Sequence, residues 1–161
     1  TITQNNAVWV GNTYTMKAGH QVITDAVGRI YDSGGPQGMY GSNERNSVLI
    51  SPPCADSLHL ILNYVSLYLD DNLTIYNGTS TSAPILYSGH SAFQRHIWAS
   101  SGKALVVFSS TFQYFGDGFE LVYVNNFDSG LPKAHFSLEN TITGINIPFV
   151  LHTPMYRDNR N

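Results

Sequence analysis

The chain has 161 residues, 42% of them hydrophobic, which is enough for one complete domain core and a remainder. Its 8 Lys and Arg are scattered and form no basic stripe, so the composition argues against a nucleic-acid partner. The longest apolar runs are far below the roughly 20 residues that a membrane helix needs, so we expect no membrane span.

Uncharged polar residues supply most of the solubility of the chain. The 16 Ser, 12 Thr and 14 Asn outnumber the charged residues more than twofold, a balance that favours an extracellular β-protein. The chain begins at Thr1 without an initiator Met or a leader, so we interpret it as part of a longer secreted or cell-surface protein. The single Cys54 excludes an intrachain disulfide, and lone cysteines are usually packed, which predicts a buried free thiol.

Short strand patterns separated by glycines begin the chain. Apolar alternation predicts strands in 7–10 and 22–27. The Gly-rich segment 31–44 predicts irregular backbone, because Gly admits positive φ and Pro removes a hydrogen-bond donor. A further short strand is predicted at 47–50, closed by two prolines.

The strongest strand patterns lie between residues 58 and 78. Period-two alternation places one set of side chains on a single face of the first strand and a second set on a single face of the next. These sets are Leu58, Leu60, Leu62 and Tyr64, followed by Leu73 and Ile75. Asp70 and Asp71 lie between the two strands, so the sequence predicts two acids at one rim of the fold.

Strand patterns are weaker between residues 85 and 98. Residues 85–87 predict a brief strand, and 89–98 are less regular. His90 and His96 lie six positions apart there, without the third ligand or the spacing of a zinc site, so we interpret them as solvated loop histidines.

Two apolar runs near residue 110 predict the last strands of the core, 103–109 and 119–124. The connection between them, 110–118, is typical of a hairpin with a Gly-Asp-Gly tip. It carries three aromatic side chains that are hard to bury in so short a loop: Phe112, Tyr114 and Phe115.

The overall pattern predicts an all-β fold. No 3.6-residue apolar period is sustained, and the chain contains 14 Gly and 7 Pro. Strands every 8 to 15 residues indicate an antiparallel β-sandwich or jelly roll. Neither GxSxG nor HExxH occurs, and the Gly-rich loop lacks the Lys of a phosphate-binding loop, so we expect no enzyme.

The last part of the chain changes character at the polar, turn-rich segment 125–132. The roughly 30 residues that follow are too few to bury a core alone. We therefore divide the chain into an N-terminal strand or extension, 1–21, a main domain, 22–126, and a linker with an appendage or truncated following domain, 127–161.

Four separated segments resemble a CUB domain, in the disulfide-free form of bacterial secreted proteins. They are YDSGGPQGMYGSNE at 31–44, LISP at 49–52, DNLTIYNG at 71–78, and FSST at 108–111 followed by GDGFELVYV at 116–124. The resemblance covers about residues 22–124 and implies an antiparallel sandwich of the jelly-roll type that binds proteins or glycans without catalysis. The segment after Pro132 resembles the opening of a PKD-like or immunoglobulin-type domain.

The resemblance also implies a Ca²⁺ site at one rim. Asp71 matches the turn Asp of the family, and Asp70 stands in for the Glu that ends the preceding strand only if the loop between these two acids has been deleted. The third acidic position is Thr111, which brings no charge, so Glu44, Asp117 or backbone carbonyls would have to help. The alternative is that Asp70 and Asp71 form a solvated turn and that no cofactor is bound.

The resulting hypothesis is a recognition module of a multidomain secreted or cell-surface protein. The rim of Asp70 and Asp71 with Phe112, Tyr114 and Phe115 would contact a protein or a glycan. Two alternatives stay open: the aromatic side chains pack on a neighbouring domain, or the module is a non-catalytic accessory of a secreted peptidase or other extracellular enzyme.

Overall fold

A computed structural model describes residues 11–112 and 116–126. The chain divides into two compact units, 1–130 and 131–161, and all described residues belong to the first. The strand predicted at 7–10 and everything from residue 127 lie outside the described residues, so these expectations stay predictions.

The described residues form ten strands and one short 3-10 helix, joined by loops. They are β1 (Asn12–Thr15), β2 (Gly19–Ile23), β3 (Val27–Tyr31), the 3-10 helix Gly35–Gln37, β4 (Arg45–Ile50), β5 (Ser57–Ser66), β6 (Asn72–Tyr76), β7 (Ile85–Gly89), β8 (Ser91–Ala99), β9 (Ala104–Ser109) and β10 (Gly118–Asn126). Sheet A has the order β1-β3-β10-β5-β8, and sheet B has the order β2-β4-β9-β6-β7. Among these ten strands, only the outer pairs β1–β3 and β2–β4 are parallel. The all-β sandwich prediction is confirmed.

Alternating side chains from the two sheets fill the space between them. Inward-facing side chains of β5, β6 and β10 are fully buried, namely Leu58, Leu60, Leu62, Leu73, Ile75, Phe119, Leu121 and Tyr123. Each fully buried Leu or Ile contributes roughly 1.5–3 kcal/mol relative to an exposed position. Apolar packing of this extent holds the sheets together without a covalent cross-link.

A β-bulge changes the pattern near the end of β5. Leu62 pairs with Leu121 while Tyr64 pairs with the preceding Glu120, so Asn63 has no partner on β10. The extra residue reverses which side chains face inward. The prediction that Tyr64 continues the buried face is therefore wrong, and Val65 is buried instead.

Three predicted segments differ from the structure. The strand expected at 22–27 is interrupted, since β2 ends at Ile23 and β3 begins at Val27. The irregular segment 89–98 is the edge strand β8, whose solvent-facing side chains remove the alternation that marks a half-buried strand. Residues 110–118 are not a hairpin, because β9 belongs to sheet B and β10 to sheet A.

Cys54 is exposed, so the prediction of a buried thiol is wrong. It follows two prolines in the loop between β4 and β5 and has a φ of 57°, a turn conformation on the surface. The N-terminal boundary also shifts. Residue 22 falls inside β2, and β1 pairs with β3, so the sandwich includes residues of the predicted N-terminal strand or extension, 1–21.

The strand directions bring five connections to one end of the sandwich, and three of them surround the predicted site. The β3–β4 loop, the β5–β6 loop and the β9–β10 connection all lie there, because β3, β5 and β9 end at the side where β4, β6 and β10 begin. We call this end the loop rim. It contains Asp70, Asp71 and Phe112 of the predicted site.

Candidate functional site

Asp71 is the centre of a buried hydrogen-bond network at the loop rim. Its side chain is only 2% exposed. The Tyr40 hydroxyl donates to Asp71 Oδ2 at 2.6 Å, and Thr111 donates to Oδ1 from both its backbone N (2.7 Å) and its Oγ1 (2.9 Å). The Tyr40 hydroxyl in turn accepts from the backbone N of Tyr68 at 3.0 Å. We call these four residues the Asp71 network, which links the β3–β4 loop, the β5–β6 loop and the β9–β10 connection.

The buried carboxyl group of Asp71 is satisfied by protein donors. A carboxylate can be buried when its oxygens accept several hydrogen bonds, and bonds to a charged acceptor are about twice as strong as neutral ones. Burial and the hydrogen bond to Asp71 raise the pKa of Tyr40 above its ordinary value. The Tyr40 hydroxyl therefore stays protonated at neutral pH and can act as the donor.

The neighbouring acid behaves differently. Asp70 is exposed, while Asp71 is buried. The alternative of a solvated turn therefore holds for Asp70 and is wrong for Asp71. The cause is long-range: the donors to Asp71 come from residues 31 and 40 positions away in the chain.

A second buried carboxylate, Asp32, fixes the start of β10. It is fully buried and accepts from the backbone N of Gly34 at 2.8 Å and of Phe119 at 2.9 Å. Gly118 has a φ of +89°, and a Cβ there would overlap Asp32 Oδ2. Burial raises the pKa of Asp32, and the bonds from Phe119 and Gly34 oppose that rise. Sequence reasoning missed Asp32, although it flagged the Gly-Asp-Gly tip.

Glu44 closes the β3–β4 loop on itself. Its Oε1 accepts from Ser33 Oγ and from the backbone N of Gly41, and its Oε2 accepts from Asn46 Nδ2 at 2.7 Å. Ser110 Oγ accepts from the backbone N of Glu44 at 2.9 Å. Glu44 was a candidate calcium ligand in the sequence, and the structure gives it a set of protein donors instead.

The residues at this rim do not fit the calcium site that the family resemblance implies. Ca²⁺ needs six to eight oxygen ligands whose lone pairs face the ion. Both oxygens of Asp71 are instead taken by O–H and N–H donors, one of them from Thr111 at the third acidic position. Within residues 11–112 and 116–126, no three His, Cys, Asp or Glu side chains group to hold a metal.

Three large apolar side chains are exposed next to the Asp71 network. Phe112 is 72% exposed, Leu69 71% and Met39 66%. Each lies beside a network residue in the chain: Phe112 follows Thr111, Leu69 follows Tyr68, and Met39 precedes Tyr40. The structure thus adds Met39 and Leu69 to the predicted Phe112, while Tyr114 and Phe115 lie outside the described residues. Both additions lie in loops, where no period of apolar residues marks a side chain as exposed or buried.

Several solved structures have a similar architecture, and those of MASP-1 are named as CUB domains. The CUB1-EGF-CUB2 fragment of rat MASP-1 is 18% identical with a TM-score of 0.56, and the match covers 67% of this chain and 43% of that fragment. The full extracellular region of zebrafish Gpr126/Adgrg6 is 19% identical with a TM-score of 0.57, covering 67% and 15%. The Ca²⁺-bound CUB2 domain of MASP-1 is 17% identical with a TM-score of 0.55, covering 67% and 99%.

The described sandwich therefore has the fold of a CUB domain, and the predicted fold type is confirmed. Nearly the whole of a single CUB domain is matched, whereas the chain spans less than half of the rat fragment. No protein-family model and no curated protein sequence matches the chain. The described residues form no helix of the length and apolarity required to cross a membrane.

Proposed function

We propose that the chain is a non-catalytic recognition module of a secreted or cell-surface multidomain protein, and that it binds a protein or a glycan through the loop rim. The observation that carries the proposal is the exposure of Met39, Leu69 and Phe112 beside the buried Asp71 network. Tyr114 and Phe115 join this contact surface on sequence grounds.

The rim has the two properties that a binding surface needs. When a partner covers large apolar side chains that are exposed in the free protein, the free energy of the system falls. Such side chains are typical anchors of interfaces. The loops that carry them are held by buried hydrogen bonds, so little conformational entropy is lost on binding. A rim with exposed apolar anchors supports recognition better than catalysis, since the buried Asp71 oxygens already accept hydrogen bonds from protein donors.

The exposed Asp70 adds a charge beside these anchors. It lies next to Leu69 in the β5–β6 loop, so a Lys or Arg of a protein partner could pair with it while apolar groups cover Leu69. Phe112 offers an aromatic ring that suits either a cation or the apolar face of a sugar. An accessory domain of an extracellular peptidase would use the same rim. That alternative differs from the proposed recognition module only in the identity of the partner.

The test compares rim variants with a matched surface variant. Met39→Ser, Leu69→Ser and Phe112→Ser each remove an exposed apolar group at the rim, and Val22→Ser removes one that is 57% exposed at the end of β2 away from the rim. A ligand is first sought with the full chain on a glycan array and on a panel of immobilised extracellular proteins. Its affinity for each variant is then measured by surface plasmon resonance.

We expect each rim substitution to weaken binding about tenfold, the loss of about 1.4 kcal/mol typical of one interface anchor, with Tm unchanged. Val22→Ser should bind like the wild type. Equal binding by all variants would contradict a rim site. A large fall in Tm for Phe112→Ser would show that this ring packs within the protein instead.

A further inference from the structure

Two histidines from adjacent strands meet on the outer face of sheet A. His59 lies in β5 and His96 in β8, and the two are diagonal neighbours, since Trp98 pairs with His59 and Ile61 pairs with His96. His59 Nε2 and His96 Nδ1 are 2.9 Å apart. The two histidines are 37 positions apart in the sequence, so no local motif marks them as a pair. Sequence reasoning considered His96 only together with His90.

The contact is held by rigid neighbours. Both histidines lie within the paired segments of β5 and β8, so the backbone ladder fixes the separation of their Cα atoms. The Trp98 ring stacks on His59 with centroids 4.4 Å apart and an angle of 14° between the planes. His96 is exposed and His59 is half-buried, so the pair opens to solvent.

The two nitrogens are close enough for one metal ion to bind both rings after a small rotation of each. Two metal–nitrogen bonds of about 2.0–2.1 Å at a right angle place the nitrogens about 2.9 Å apart, whereas a tetrahedral angle places them about 3.3 Å apart. Right-angle coordination by nitrogen and oxygen is typical of Cu²⁺ and Ni²⁺, and Cu²⁺ binds such ligands most tightly among the first-row divalent ions.

We propose that His59 and His96 form a two-histidine binding site for Cu²⁺, with Nε2 of His59 and Nδ1 of His96 as ligands. In the metal-free pair one imidazole donates an N–H to the other. Metal binding requires both nitrogens to offer lone pairs, so the donor ring moves its proton to its other nitrogen and both rings turn toward the ion. Water completes the coordination, and no net proton is released.

This site goes beyond the proposed recognition role. The loop rim needs no metal for its structure, because its carboxylates accept hydrogen bonds from protein donors. The histidine pair lies instead on the outer surface of sheet A, on two strands of the ladder rather than in a loop. Loss of one site therefore leaves the other intact, and the two proposals fail independently.

Trp98 provides a direct reporter for the test, because Cu²⁺ bound to the stacked His59 should quench its fluorescence. Trp9 is the only other tryptophan, so the full chain is prepared with Trp9→Phe. CuCl₂ is titrated into this protein and into the same protein carrying His59→Asn, His96→Asn or His90→Asn. His90 is an exposed histidine outside the pair and serves as the matched control.

We expect saturable quenching that chelation by EDTA reverses, an apparent Kd raised at least tenfold by His59→Asn or His96→Asn, and no change with His90→Asn. Ni²⁺ and Zn²⁺ should bind more weakly than Cu²⁺. Quenching that survives either pair substitution, or that falls equally with His90→Asn, would overturn the proposal.

A second measurement does not depend on the folding of the variants. Electron paramagnetic resonance of the wild-type chain with one equivalent of Cu²⁺ should show two equatorial imidazole nitrogens. A spectrum with a single nitrogen, or one dominated by the N-terminal amine, would show that the pair does not bind the ion.

Discussion

Asp71 shows how one residue can organise three loops. Its carboxylate accepts hydrogen bonds from Tyr40 and twice from Thr111, and it does so almost without contact with solvent. The negative charge is balanced by donors that the protein supplies. Removing a buried acceptor of this kind destabilises the fold, because its donors remain shielded from water and lose a hydrogen bond.

We expect Asp71→Ala to lower the free energy of unfolding by about 3 kcal/mol or more, since it removes a buried side chain that accepts three hydrogen bonds from Tyr40 and Thr111. Asp70→Ala is the matched control, because the neighbouring carboxylate is exposed, and it should change stability by less than about 0.5 kcal/mol. Urea unfolding followed by fluorescence measures both. Similar losses for the two variants would contradict the buried network.

The same hydrogen bonds make a prediction for calcium. Because the Asp71 oxygens face donors and Thr111 brings no charge, we expect that Ca²⁺ in the millimolar range leaves the Tm of the wild-type chain unchanged. Any ion that binds only the folded state must raise Tm with its concentration. A concentration-dependent rise that Asp70→Ala or Asp71→Ala abolishes would instead support the calcium site that the family resemblance implies.

At the scale of elements, the start of β10 depends on glycine. Gly118 has a φ of +89° and leaves the space that the Asp32 carboxylate needs to reach the backbone N of Phe119. The β9–β10 connection crosses from one sheet to the other at this point. The contact therefore joins the β3–β4 loop to the first residues of a central strand.

Gly118→Ala combines two costs, a side chain at positive φ and an overlap with Asp32 Oδ2. Gly19 has a similar φ of +94°, and a Cβ added there would meet no atom within 4 Å, so Gly19→Ala isolates the backbone cost. We expect a loss of roughly 1–2 kcal/mol for Gly19→Ala and at least about 2 kcal/mol more for Gly118→Ala. Denaturant unfolding of both variants measures these losses of stability. Equal losses for the two variants would argue against a close approach of Asp32 to residue 118.

At the scale of the whole molecule, the sandwich depends on both of its outer parallel pairs. β1 covers the edge of β3, and β2 covers the edge of β4. Met16, which lies between β1 and β2, is buried in the core. A domain that begins at residue 22 would lose β1, this Met and most of β2.

We therefore expect a fragment of residues 11–126 to unfold in one cooperative transition, because it contains all ten described strands. A fragment of residues 22–126 should be strongly destabilised or unfolded, since two strand edges and part of the core become exposed. Circular dichroism during thermal unfolding distinguishes the two. Equal Tm values would show that the N-terminal strands contribute little.

The sequence by itself determined the sandwich class, because period-two alternation is a local property. Leu58, Leu60 and Leu62 must face one side of a strand whatever lies opposite them, and the same holds for Phe119, Leu121 and Tyr123. The interruption of this pattern at Asn63 was not predictable, because a bulge is set by the register with β10.

Only the tertiary structure decided which polar residues are buried and which meet. Asp70 and Asp71 are adjacent and chemically identical, yet donors from distant loops enclose only Asp71. His59 and His96 are paired by the β5–β8 ladder across 37 residues. Local patterns fix which face a side chain takes, whereas its partners depend on strand order, and strand order arises only when the whole chain folds.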